Sequence, residues 1–202
     1  FCGYSAPVTD SKVLAIIIED EEGTRFVDEV SEGDFTLILD KTPFYGEGGG
    51  QVGDTGRIYG PDAEAQVTDT KKADDVYLHI ATIISGRIRV GDRVTAQIDE
   101  ARRRNIMRNH SACHLLQSAL RRVLGTHVEQ AGSYVDDARL RFDFTHFAAL
   151  TPEEIAKVEE LVNDEILKGA PGSMTEMPLD EAKKLGALAF FGEKYGNTVR
   201  VV

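Results

Sequence analysis

At 202 residues the chain is long enough for one large domain or two small ones, and its composition is that of an ordinary globular protein. No apolar run approaches the roughly 20 residues that span a bilayer, and FCGYSAPVTD is not a signal peptide, so a membrane setting is not expected. The net charge of −11 argues weakly against a nucleic-acid partner, and two cysteines, Cys2 and Cys113, make no disulfide framework and point to a reducing cytoplasm. The missing initiator Met and the VRVV end predict an excised segment.

The first half reads as β. VLAIIIED, TRFVDEV, FTLILD, GRIYG, AEAQVTDT, VYLHIATII and RVTAQID are short runs rich in β-branched residues, separated by turn signals such as EEG, SEGD and RVGD. That spacing predicts a small barrel or sandwich. Near Asp99 the character changes. DEARRRNIMRNHSACHLLQSALRRVLG predicts a long helix with Ile106, Cys113, Leu116, Leu120, Val123 and Leu124 on one side, ended by Gly125. HVEQAGSYV and RLRFDF predict a hairpin across Asp136-Asp137. Thr151-Pro152-Glu153-Glu154 is a capping box opening a helix expected to bury Ile155, Val158, Val162 and Ile166, with Gly169 after it. DEAKKLG predicts a short helix and NTVRVV a strand. The fold expected is α+β: a β-barrel domain over 1–98, then a helix-on-sheet domain over 99–202.

Three features bear on chemistry. His110 and His114 sit four apart, about 40° apart on a helix, a spacing that supplies two metal ligands on one face. Ser111 follows His110, so the H-E-x-x-H protease pattern is absent. Two polar residues at a helix edge remain the alternative. Cys113 reads as a buried thiol rather than a third ligand, and nothing local recommends His79, His127 or His146. Asn109-His110-Ser111 matches a glycosylation sequon by chance.

The glycine run KTPFYGEGGGQVGDTG fits a dinucleotide fingerprint by letter at Gly48, Gly50 and Gly53, yet it leads into a strand rather than a helix. Gly48, Gly49 and Gly50 leave backbone that a ligand can approach closely, or else a tight barrel corner. Thr42 and Gln51 flank them with a hydroxyl and an amide. Finally, Ala101 to Val128 holds no acidic residue but carries Arg102, Arg103, Arg104, Arg108, Arg121 and Arg122, a basic stripe compatible with a phosphate backbone or with a solvated helix flank.

In order, TPFYGEGGGQVGDTG, RRRNIMRNHSACHLLQSALRRVLGTHVEQAGS, RLRFDF and GALAFFGEKYGNTVRVV resemble the editing domain of alanyl-tRNA synthetases, over nearly the whole chain. Free-standing editing proteins share the glycine motif and histidine pair, and the threonyl-tRNA synthetase editing domain resembles the second half. The resemblance implies a β-barrel followed by an α+β domain, and hydrolysis of the ester joining serine or glycine to the alanine tRNA. It implies zinc held by His110 and His114 together with a later C-x-x-x-H that would follow Val202. It carries over Thr42 and Gln51 as catalytic-site residues, Gly48, Gly49 and Gly50 as substrate-binding, and Arg102, Arg103, Arg104 and Arg108 toward the tRNA acceptor end. The remaining domains of a parent synthetase would be the other partners. Cys113 stands where the family usually has Thr. A catalytically incomplete tRNA-binding module is the second reading, and an unrelated metallohydrolase the third.

Overall fold

The computed structural model describes residues 1–21, 23–186 and 196–201. The chain divides into two compact units: residues 1–109 with 134–139, and residues 110–133 with 140–202. The centre of the GALAFFGEKYGNTVRVV stretch, 187–195, lies outside the described residues.

The first unit is built on a closed antiparallel barrel. Its strands are β1 (Val8–Asp20), β4 (Asp34–Leu39), β5 (Gly56–Tyr59), β6 (Glu64–Ala73), β7 (Val76–Ser85) and β9 (Arg93–Ile98), with β2 (Gly23–Val27) added on β1 and β3 (Glu29–Val30) paired with β8 (Ile88–Arg89). Closure comes from β1. Its first half, Val8–Lys12, pairs with β9; after an irregularity at Val13/Ala15 its second half pairs with β4 and β2. Alternation sets the interior: Phe35, Leu37 and Leu39 from β4, and Val94, Ala96 and Ile98 from β9, point inward. Ala65, Ala81 and Ala96 keep the bore narrow enough for Ile16, Leu37, Ile58 and Val67 to fill it.

α1 (Glu100–Leu124) begins in the first unit and ends in the second, at Gly125, whose φ of 119° no other residue adopts readily. The first ten residues of α1 group with the barrel, beyond the expected boundary at Asp99. Arg102 and Arg103 tie them to Gly53 and Asp54, and the Asn109 amide donates to the Asp136 carbonyl at 2.8 Å.

In the second unit Ala119, Leu120, Val128 and Val158 form a core with Phe142, Phe144, Leu161 and Val162. They come from the end of α1, from Val128 just ahead of β10 (Gln130–Val135), from β10's partner β11 (Leu140–Phe144), and from α2 (Pro152–Lys168). On β11, Leu140, Phe142 and Phe144 are more sheltered than Arg141 and Asp143, as alternation requires. The capping box of α2 is formed: Glu154 N–H donates to Thr151 Oγ at 3.2 Å, and Thr151 N–H to the Glu154 carboxylate at 2.8 Å. Gly169 closes the helix in the left-handed region. One expectation fails. Ile155 and Ile166 are exposed, because α2 seats Val158, Leu161 and Val162 instead. β12 (Thr175–Pro178), α3 (Leu179–Lys184) and β13 (Thr198–Val201) follow, with β12 and β13 paired antiparallel. Among the described residues no helix is long and apolar enough to cross a membrane.

Candidate functional site

The glycine run resolves into two physical roles. Gly48 and Gln51 exchange backbone hydrogen bonds at 3.1 and 3.0 Å across Gly49 and Gly50, whose φ values are 59° and 79°. Two consecutive positive φ angles are the demand of a two-residue turn of the I′ kind, and only glycine meets it freely at both places. Gly53 serves packing: a Cβ there would lie 2.1 Å from the Thr70 carbonyl oxygen. Gln51 leaves the turn almost buried, its backbone held beside Val135 by Val135 N–H to Gly50 O at 2.8 Å and Val52 N–H to Val135 O at 3.1 Å.

Thr42 lies three residues after the end of β4 and is 2% exposed. Its Oγ accepts Phe44 N–H at 3.0 Å and lies 2.7 Å from His79 Nε2. His79 is fully buried, with Nδ1 2.8 Å from the Leu37 carbonyl oxygen. A carbonyl only accepts, so Nδ1 carries a proton. Burial pulls the His79 pKa from 6.5 down to about 4, against a smaller upward pull from the Leu37 carbonyl, so the ring is neutral at pH 7 and Nε2 is bare. The Thr42 hydroxyl therefore donates to it. His79 was passed over in the sequence, although an inward-facing histidine in an apolar strand must find partners.

Asp54, also buried, accepts Tyr45 N–H at 2.7 Å and Arg103 Nε at 2.8 Å, while Arg103 Nη2 donates to its second oxygen. Arg103 also donates to the Gly3 and Pro43 carbonyls, each at 3.2 Å. It is thus committed inside the first unit. Arg102 is half-buried, paired with Asp137 at 3.1 Å and donating to Gly53 O. Arg104 and Arg108 are exposed, beside Glu100 and Asn105. Three consecutive residues fan through about 200° of a helix, so Arg102, Arg103 and Arg104 cannot share one outward stripe.

In the second unit the His110 and His114 rings stack at 5.7 Å between centroids and 9° between planes. Loss of hydration lowers both pKa values, and His114 lowers that of His110 further. Neutral imidazoles are the form that ligates a metal, so the pair fits zinc as two donors. Cys113 is buried and its thiol pKa raised by burial, as expected of an inert apolar-side thiol. His127 Nε2 and His146 Nδ1 lie 2.9 Å apart, bonded to each other. Among the described residues no group of three or more His, Cys, Asp or Glu side chains is arranged to hold a metal ion.

An α+β chain with a closed barrel, a buried threonine followed along the chain by a glycine turn, and a helical histidine pair defines the class. A family model described as class II (A) tRNA synthetases matches residues 1–102, and the chain belongs to that family. Over its whole length it is 54% identical to an alanine–tRNA ligase of Acetivibrio thermocellus, 52% to alanine–tRNA ligase 1 of Lachnoclostridium phytofermentans and 50% to an alanine–tRNA ligase of Dichelobacter nodosus. It spans 23% of the length of each of these relatives.

Proposed function

We propose that the chain carries out hydrolytic editing within an alanine–tRNA ligase: cleavage of the ester joining serine or glycine to the alanine tRNA. The observation that carries this reading is similarity along the whole of this chain to alanine–tRNA ligases, together with a buried Thr42 hydroxyl six residues ahead of the glycine turn in the sequence. Alanine and serine differ by one hydroxyl, which an apolar synthetic pocket rejects only weakly, so a second, hydrolytic site sharpens selection. Thr42 recognises the serine hydroxyl. Gln51, its backbone clamped, orients the ester carbonyl or a water, and the turn at Gly48, Gly49 and Gly50 lets the aminoacyl group approach the backbone. His110 and His114 hold zinc, which when bound supplies a Lewis acid. Arg104 and Arg108, exposed on α1, are the cations for the acceptor end of the tRNA, and a cytoplasmic setting follows from the reaction.

The test is serine release from seryl-tRNA(Ala), with alanyl-tRNA(Ala) as control, by a full-length ligase carrying this segment. Serine but not alanine is released, and Gln51→Ala or His110→Ala slows release at least tenfold. Unchanged rates in both variants overturn the assigned roles.

A second reading is a binding module without turnover, favoured by the two-donor metal set and the exposed arginines. It predicts salt-sensitive tRNA binding by the isolated chain and no serine release.

A further inference from the structure

A threonine hydroxyl is ambiguous: it donates one hydrogen bond and accepts two, and it rotates to suit its surroundings. A site that must recognise a hydroxyl and refuse a methyl works best when that ambiguity is removed. Two neighbours of Thr42 remove it. Phe44 N–H occupies one lone pair at 3.0 Å, and His79 Nε2 takes the hydroxyl proton at 2.7 Å. The His79 ring cannot turn to offer a proton instead, because Nδ1 is tied to Leu37 O at 2.8 Å and the ring packs edge-on against Phe44 at 5.3 Å. What remains on Thr42 is a single lone pair.

We propose that His79 is a specificity-determining positioning residue: by holding the Thr42 proton it makes Thr42 a pure acceptor, matched to a ligand side chain that donates a hydroxyl. This rests on the editing reading. A serine hydroxyl donates to the free lone pair. The alanine methyl leaves that lone pair unpaired at a position only 2% exposed, where water does not make up the loss. Glycine neither donates nor crowds, so its release does not depend on the direction of the Thr42 proton. His79 touches no reacting atom and acts through Thr42 alone.

The discriminating readout is the ratio of kcat/KM for seryl-tRNA(Ala) to that for glycyl-tRNA(Ala), in a full-length alanine–tRNA ligase carrying this segment. His79→Leu lowers that ratio about tenfold, the worth of one misdirected hydrogen bond. His79→Gln, which keeps an acceptor, restores part of it. Combining His79→Leu with Thr42→Val lowers the ratio no further than Thr42→Val alone. Equal losses for both substrates overturn the proposal and leave His79 a packing residue. Because a buried histidine is risky to replace, a second measurement needs no variant: ¹⁵N chemical shifts of histidine-labelled wild-type protein show His79 protonated at Nδ1 and bare at Nε2. A proton on Nε2 overturns the proposal outright. A wild-type enzyme that releases neither serine nor glycine instead retires the editing reading, while the tautomer still decides who holds the Thr42 proton.

Discussion

Arg103 and Asp54 form a buried ion pair in which every arginine nitrogen has an acceptor and the aspartate also receives Tyr45 N–H. The pair ties the first turn of α1 to the loop that follows the glycine turn. Removing one partner leaves a charge buried without its counterion. Asp54→Asn and Arg103→Leu each destabilise the first unit by about 3–5 kcal/mol. Arg104→Ala and Arg108→Ala, at exposed positions, stay within about 0.5 kcal/mol. Urea denaturation of the four variants separates the classes, and a neutral Arg103→Leu would show that the pair has no structural weight.

The glycines divide by what a side chain would meet. Gly49→Ala and Gly50→Ala force a left-handed alanine and cost about 1–2 kcal/mol each. Gly53→Ala puts a methyl 2.1 Å from the Thr70 carbonyl and costs more than either. Gly48 has no atom within 3.4 Å of its added Cβ, so Gly48→Ala folds normally. Thermal unfolding of the four proteins gives the order, and a Gly48→Ala protein as damaged as Gly53→Ala would contradict it.

His79 gives stability a pH dependence whose sign is fixed. Its folded pKa of about 4 lies below the unfolded value of 6.5. Between those values the unfolded chain binds the proton and the folded chain does not, so stability is complete above pH 6.5 and falls as pH drops toward 4, by about 3 kcal/mol in all. Denaturation midpoints across pH 4 to 7 check this. His79→Gln flattens the slope in that window, and an unchanged slope would assign the effect elsewhere.

Thr151→Ala removes the acceptor that satisfies Glu154 N–H and lowers the stability of the second unit by about 1 kcal/mol. Thr151→Ser keeps the cap. Hydrogen exchange of the amides in the first turn of α2 reports the change directly: faster in the alanine variant, unaltered in the serine one.

The strands, the long helix and the capping box were legible because each is written in local periodicity. The Gly49-Gly50 turn was half legible: glycines announce positive φ or close contact, and only the fold assigns Gly49 to the first and Gly53 to the second. His79 was illegible because its partner, Thr42, lies 37 residues away in the loop after β4. The arginine run misled through composition, since a count of charges ignores that Arg103 points inward. For α2, Ile155 and Ile166 satisfied the helical period, but so did Leu161, and packing chose among them.

β1 closes the barrel by meeting β9, which ends at Ile98. On a ribosome, which adds about 5–20 residues per second, the first strand therefore waits several seconds with one edge unpaired. During that interval the half that stays open is Val8–Lys12, because Ile16 and Ile17 already have β2 on one side and β4 on the other. The shape that protects the finished barrel from edge-to-edge aggregation is thus the one that its nascent form reaches last, and the burden of keeping the emerging polypeptide soluble falls on Asp10 and Lys12 within that open half.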